Sequence, residues 1–247
     1  MITGLRKTIL LLFLVFAFDA HAQDNISTML KEADVLVASG NLEGALQKAR
    51  QAIAVSPENH PAKQKEINIL FLMNNEKESM RLADENIKNF PDIPGYYYLR
   101  GIINNAKEKY SRALDDFTAA LELNPGDIAY RCYLGRGVSY FNLMEYEQAL
   151  ADLTTSIQQN DTVAGSYYSR GMVNYELRDY PAAIADFQKI LELSEGNAAL
   201  YFNLGMAYFR LNEKDKACPN LNKACSMGNT NACRMSLMEC AKAIPSQ

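Results

Sequence analysis

The 247-residue sequence has no tryptophan, only two histidines (His21 and His60) and no basic excess, since 25 Lys and Arg stand against 29 Asp and Glu for a formal net charge of −4. So little imidazole leaves almost nothing for a histidine general base or a histidine-rich metal site. Without a positive surplus there is nothing to neutralise a phosphate backbone, which excludes nucleic acid as a partner class. Long apolar runs are also missing: the longest, Thr8 to Phe18, covers 11 residues, about 17 Å as a helix against a hydrocarbon core of about 30 Å. No glycine-rich phosphate loop occurs, no Ser or Cys nucleophile has a histidine in reach, and acidic neighbours such as Asp115-Asp116 and Asp84-Glu85 read as helix-surface charges. The chain is therefore expected to be non-enzymatic and to carry no cofactor. What is there, 48% hydrophobic and 22% charged residues, is the composition of one or two globular domains.

Residues 1–22 read as an export leader. Arg6 and Lys7 precede the apolar run, and Ala20-His21-Ala22 places small residues where a signal peptidase reads. Cleavage is expected near Ala22/Gln23, leaving no membrane span. The segment looks like a Gram-negative signal, which points to the periplasm or the outer surface. There, paired cysteines are chemically reasonable.

The strongest signal is an internal repeat. Ala45, Ser79, Ala113, Ala149, Ala183 and Ala217 recur at separations of 34, 34, 36, 34 and 34. Twelve residues before each lies Ala33, Ile67, Gly101, Gly137, Gly171 and Gly205. Two small residues twelve apart, flanked by apolar residues at helical spacing, describe two helices whose backbones approach closely. Pro57, Pro91 and Pro125 then end second helices, and nothing reads as a strand.

This pattern resembles the tetratricopeptide repeat family, carried by Gly101, Tyr110, Ala113, Phe117, Ala120 and Pro125, by Gly137, Tyr140, Leu143, Tyr146 and Ala149, and by their counterparts Gly171, Tyr180, Ala183, Phe187, Gly205, Tyr208, Ala217 and Ala224. The resemblance implies an all-α, right-handed solenoid. Repeats are placed at about 26–59, 60–93, 94–129, 130–163, 164–197 and 198–231, within a solenoid reaching 243 and closed by a capping helix over 231–243. Ile67 and Ser79 depart most from the pattern.

Arg100, Arg136 and Arg170 each stand 16 residues ahead of Asp116, Asp152 and Asp186, and in the first repeat Glu32 and Lys48 hold the same sites with the signs exchanged. Antiparallel helices bring such sites face to face, so an ion pair is expected within each of these four repeats. Ligand anchoring is the alternative role for the arginines, and the exchange of signs favours the structural one.

Family resemblance also implies that a concave face built by the first helices binds a protein or peptide. In this sequence that face carries Tyr98, Leu134, Tyr168 and Phe202 in one row, Ile102, Val138, Met172 and Met206 in the next, and Asn105, Phe141, Tyr175 and Phe209 in a third, with Arg131 and Arg210 near its edges. Spacings of 4 and 3 put each triplet on one helix face. An apolar, aromatic groove suits an extended or helical peptide with apolar anchors. Ordinary packing between successive first helices would produce the same stripe, so both readings stand at this stage.

Four of the five cysteines fall in the last 30 residues. Cys218 and Cys225 are seven apart on one helix face, and Cys233 and Cys240 are seven apart on the next, with Gly228-Asn229-Thr230-Asn231 as the turn between. In an antiparallel hairpin this register sets Cys225 opposite Cys233 and Cys218 opposite Cys240. The alternatives are a structural zinc site, which usually draws ligands from tight turns, or free thiols. Cys132 is left over as a buried thiol. The segment from Lys223 to Cys233 also resembles the cysteine-rich Sel-like repeats. Taken together, the expected function is an exported adaptor for a protein or peptide ligand in the cell envelope. The alternatives are a structural subunit of an envelope complex that uses its convex face or ends and, more remotely, a thiol-based redox accessory.

Overall fold

A computed structural model of the chain describes residues 23–240, and the expected leader, residues 1–22, lies outside them. The described residues are helical, with no strand among them. Helix α1 covers 23–38. It is followed by α2 (Leu42–Val55), α3 (His60–Leu72), α4 (Glu76–Asn89), α5 (Pro94–Ala106), α6 (Tyr110–Glu122), α7 (Ala129–Asn142), α8 (Tyr146–Gln159), α9 (Ala164–Glu176), α10 (Tyr180–Leu193), α11 (Ala198–Arg210), α12 (Lys214–Ser226) and α13 (Thr230–Met235).

One local device makes the pairs. Each odd-numbered helix from α1 to α11 ends in a residue with left-handed backbone: Gly40, Asn74, Glu108, Met144, Arg178 and Asn212, with φ between 58° and 80°. The next N–H then returns to the helix, Asn75 to the Leu70 carbonyl at 2.9 Å and Asp179 to the Asn174 carbonyl at 2.8 Å. This double turn satisfies carbonyls that the helix end would otherwise orphan and reverses the chain. Its residues carry the same period as the small-residue pairs. Side-chain caps begin several helices, Asn59 accepting from Ala62 N–H, Asp179 from Ala182 N–H and Asn197 from Leu200 N–H.

The described residues divide into two compact units, one up to residue 103 and the other from residue 104. In the first, the α1/α2 pair buries Ala33, Ala45 and Ala49 with Ile69 and Leu70 of α3, and Ile67 and Ala83 meet Tyr96, Leu99 and Ile103. The departures Ile67 and Ser79 are accommodated here, because the Ser79 hydroxyl donates to the Ile67 carbonyl at 2.8 Å and so leaves no orphaned polar group.

In the second unit, α7/α8, α9/α10 and α11/α12 stack in succession. A Cβ built on Gly137 would lie 2.8 Å from Leu153 Cγ, and one on Gly171 would lie 2.6 Å from Phe187 Cε1. Neither crossing has room for a larger residue. The largest cluster joins Phe187, Ile190, Leu200, Leu204 and Tyr208 across α10 and α11.

The expected capping helix differs in form. After six residues α13 gives way to a π-turn, Ser236–Cys240, and the remainder of the 231–243 window lies outside the described residues. The wider turn occurs where Cys240 is bonded to Cys218 of α12, while Cys225 is bonded to Cys233 beside the Gly228 turn.

Candidate functional site

Within the second unit, the faces of α7, α9 and α11 carry Leu134, Phe141, Tyr168, Met172, Tyr175, Phe202 and Phe209, all half-buried. Their inner edges join the core and their outer edges meet solvent. The Tyr168 ring lies 6.1 Å from that of Phe187, Tyr175 meets Tyr180 edge-on at 5.3 Å, and Phe141 lies 6.0 Å from Tyr146. The core and groove readings of this stripe are therefore not exclusive. The same side chains wedge the helices and present an apolar surface.

Polar groups fix these rings. Asn203 Nδ2 donates to the Tyr168 hydroxyl at 3.0 Å and lies 3.3 Å from Met172 Sδ, reaching from α11 back to α9. Arg210 Nε donates to the Tyr175 hydroxyl at 3.2 Å, and that bond also raises the pKa of its already charged guanidinium. Asn105 is held between repeats, donating to the Gly135 carbonyl at 3.0 Å and accepting from the Ser139 hydroxyl at 2.7 Å. Arg131 lies along its neighbour, Nε to the Tyr130 hydroxyl at 2.9 Å. Tyr98 and Ile102 belong to the first unit, where both are half-buried. The row there is polar, with Lys65 Nζ paired to Asp34. Asn203 was not among the sequence candidates. Its equivalents in the third and fourth repeats, Leu99 and Gly135, carry no polar group there that could have pointed to it.

Charged crossings join the helices within pairs of both units. Arg136 forks onto Asp152 at 2.6 and 2.9 Å, Arg170 reaches Asp186 at 2.6 Å, and Lys48 meets Glu32 at 2.5 Å. The carboxylate side chains are 10% and 5% exposed in Asp152 and Asp186. Asp186 also accepts from Asn174 at 3.2 Å, and Asp116 from Asn104 at 2.7 Å. The arginines' pKa values are raised, chiefly by the hydrogen bonds to their aspartates. Sequence spacing did not disclose a second set of partners on the preceding helix: Arg50 with Glu66 at 2.8 Å, Asp84 with Arg100 at 2.8 Å, and Thr118 with Arg136 at 3.2 Å. Both arginines are engaged in these crossings, with Arg136 and Arg170 side chains 19% and 23% exposed.

Cys132 is fully buried and unbonded, and burial pushes its thiol up to about 12 against a smaller opposing pull from Arg136. It is therefore a poor nucleophile. Among the described residues no helix is long and apolar enough to cross a membrane, and no group of His, Cys, Asp or Glu is placed to hold a metal ion.

Models of the tetratricopeptide repeat match residues 94–127, 134–198 and 168–232, together more than half of the chain. The chain belongs to the tetratricopeptide repeat (TPR) family. Its fold is shared by PilF of Pseudomonas aeruginosa, at 13% identity with a TM-score of 0.76 over 89% of this chain and 100% of that one. PilW, described as a widely conserved type IV pilus biogenesis factor, gives 13% identity and a TM-score of 0.73 over 86% of this chain and 98% of its own. YrrB, described as a TPR protein with an unusual peptide-binding site, gives 21% identity and a TM-score of 0.60 over 78% of this chain and 97% of its own. No curated protein matches the chain. At these identities the likeness shows the TPR fold.

Proposed function

We propose that this TPR protein is an exported, non-catalytic adaptor that holds a protein or peptide segment on the first-helix face of its second unit. The observation that carries the reading is the half-exposed aromatic surface of Tyr168, Met172, Tyr175, Phe202 and Phe209, held in place by Asn203 and Arg210. Rings fixed in advance lose little entropy on binding, so an apolar anchor set against them gains contact area at low cost. Terminal cysteines bonded in pairs support export, since such bonds persist in oxidising compartments. The peptide-binding description of YrrB supports the same use of the fold.

A second reading, a structural subunit of an envelope complex, is favoured by the pilus-biogenesis description of PilW and the extent of the likeness. One experiment separates the two. Tyr168→Ala with Phe209→Ala is compared with the unaltered chain in capturing partners from envelope extracts, with thermal melts alongside. Loss of an identified partner with the fold retained supports the groove; undiminished capture by a folded variant moves the interaction to the ends or convex face.

A further inference from the structure

The last eleven described residues share a buried cluster with one end of the surface just assigned to ligand. Ala232, Met235 and Cys240 pack in one cluster with Leu221, Ala224, Tyr201, Phe202 and Met206, and Phe202 is a member of the aromatic row. A segment in this place closes the end of the first-helix face.

Its own grip is weak. Helix α13 has six residues, against the roughly 12–15 that an isolated helix needs to hold together, and Ala232 is its one fully buried side chain. Leu237 and Met238 point to solvent, 73% and 57% exposed. Two surface polar contacts, Lys214 Nζ to Glu239 at 3.1 Å and Ser236 to Asn222, tie it to α12, and exposed pairs of this kind contribute little. Docking therefore falls to the two covalent clamps, Cys225–Cys233 at the turn and Cys218–Cys240 at the far end. All four cysteines are half-exposed, unlike Cys132. Pro219, inside α12, takes one backbone donor from the turn that anchors the outer clamp.

We propose that residues 230–240 are a redox-released cover, so that the oxidation state of the two disulfides sets how far the binding face extends. The inference rests on the reading of that face given above. The co-reactant is a dithiol. Its thiolate attacks one cysteine sulfur, the disulfide breaks and releases the other as a thiol, and the second dithiol sulfur then resolves the mixed disulfide. Each clamp gains two electrons and two protons, and each dithiol leaves as its own disulfide.

Hydrogen exchange by mass spectrometry on the full chain, oxidised and after dithiothreitol, tests the cover. Reduction should speed exchange at the amides of 230–240 by at least about tenfold while α11 and α12 keep their rates. A variant with all four residues replaced (Cys218→Ser, Cys225→Ser, Cys233→Ser, Cys240→Ser) should show the fast rates without reductant. In it, peroxide should convert Met206 to the sulfoxide several-fold faster than in the oxidised chain. Unchanged exchange at 230–240, or loosening of α11 and α12 to the same degree, would overturn the proposal. None of these readouts uses a ligand, so the cover and the adaptor reading fail independently.

Discussion

Met144 shows how a single residue can work against the turn it occupies. It holds a left-handed φ of 62° while 74% exposed, so it carries the steric cost of that conformation with little packing in return. Met144→Gly removes the cost, loses some of the gain to a freer unfolded chain, and is expected to raise stability by about 0.5–1 kcal/mol in urea melts. The opposite substitution belongs at Gly171, where a methyl group would meet the Phe187 ring. Gly171→Ala should cost about 1–3 kcal/mol, and a melt superimposable on the original would contradict the close crossing. Cys132 supplies a pH dependence. Its folded thiol ionises at about 12, whereas an unfolded thiol does so near about 8.5. The unfolded chain therefore gives up its proton first, and stability falls as pH rises between about 9 and 12. Cys132→Val should lose less over that window; parallel urea midpoints for the two proteins at pH 8 and 10.5 would refute it.

Between neighbouring elements the charged crossings decide register. Arg136 is ion-paired to α8, stacked on Tyr133 of its own helix at 5.6 Å and hydrogen-bonded to Thr118 of α6, so one guanidinium locks three successive helices. Burying such a pair costs desolvation, and the net gain is small while both partners remain. Asp152→Ala strands the arginine and should cost about 2 kcal/mol, lowered from the usual 3–5 because Arg136 keeps Thr118 and some solvent. Arg136→Met with Asp152→Leu should recover most of that loss, and equal stability in the original and both variants would show that the crossing carries no energy. The forward pairs were legible because 16 residues separate facing sites in a helical hairpin of this size. The backward pairs, Arg50 with Glu66 and Asp84 with Arg100, share that spacing but join a second helix to the first helix of the next repeat. They were missed because a search confined to one repeat cannot see a neighbour's helix. The aromatic stripe was legible as a face and not as a depth, since periodicity fixes direction while exposure depends on how far adjacent helices stand apart.

At the scale of the whole chain, a fold made of repeated pairs has no single core to lose. In the second unit, hydrophobic clusters follow one another along the helices, from Ala149, Leu153 and Val173 to Phe187, Leu200 and Leu204 and on to Leu221, Ala224 and Ala232, so each pair is stabilised by its neighbours. The 34-residue period makes this legible in the sequence. The division at residue 103 was not, because it falls inside α5 and no change of composition marks it. Local stabilisation has a consequence that a globular core would not show. Phe187→Ala removes a fully buried ring at the centre of the second unit and should cost about 3–5 kcal/mol where the ring packs. In a repeat array the loss spreads only through adjoining interfaces. Exchange protection should fall most in α9, α10 and α11 and least in α6. A uniform fall in protection from α6 to α12 would mean that the unit unfolds as one cooperative block. In that case the proposed binding face could not be loosened at one end while the rest stays ordered.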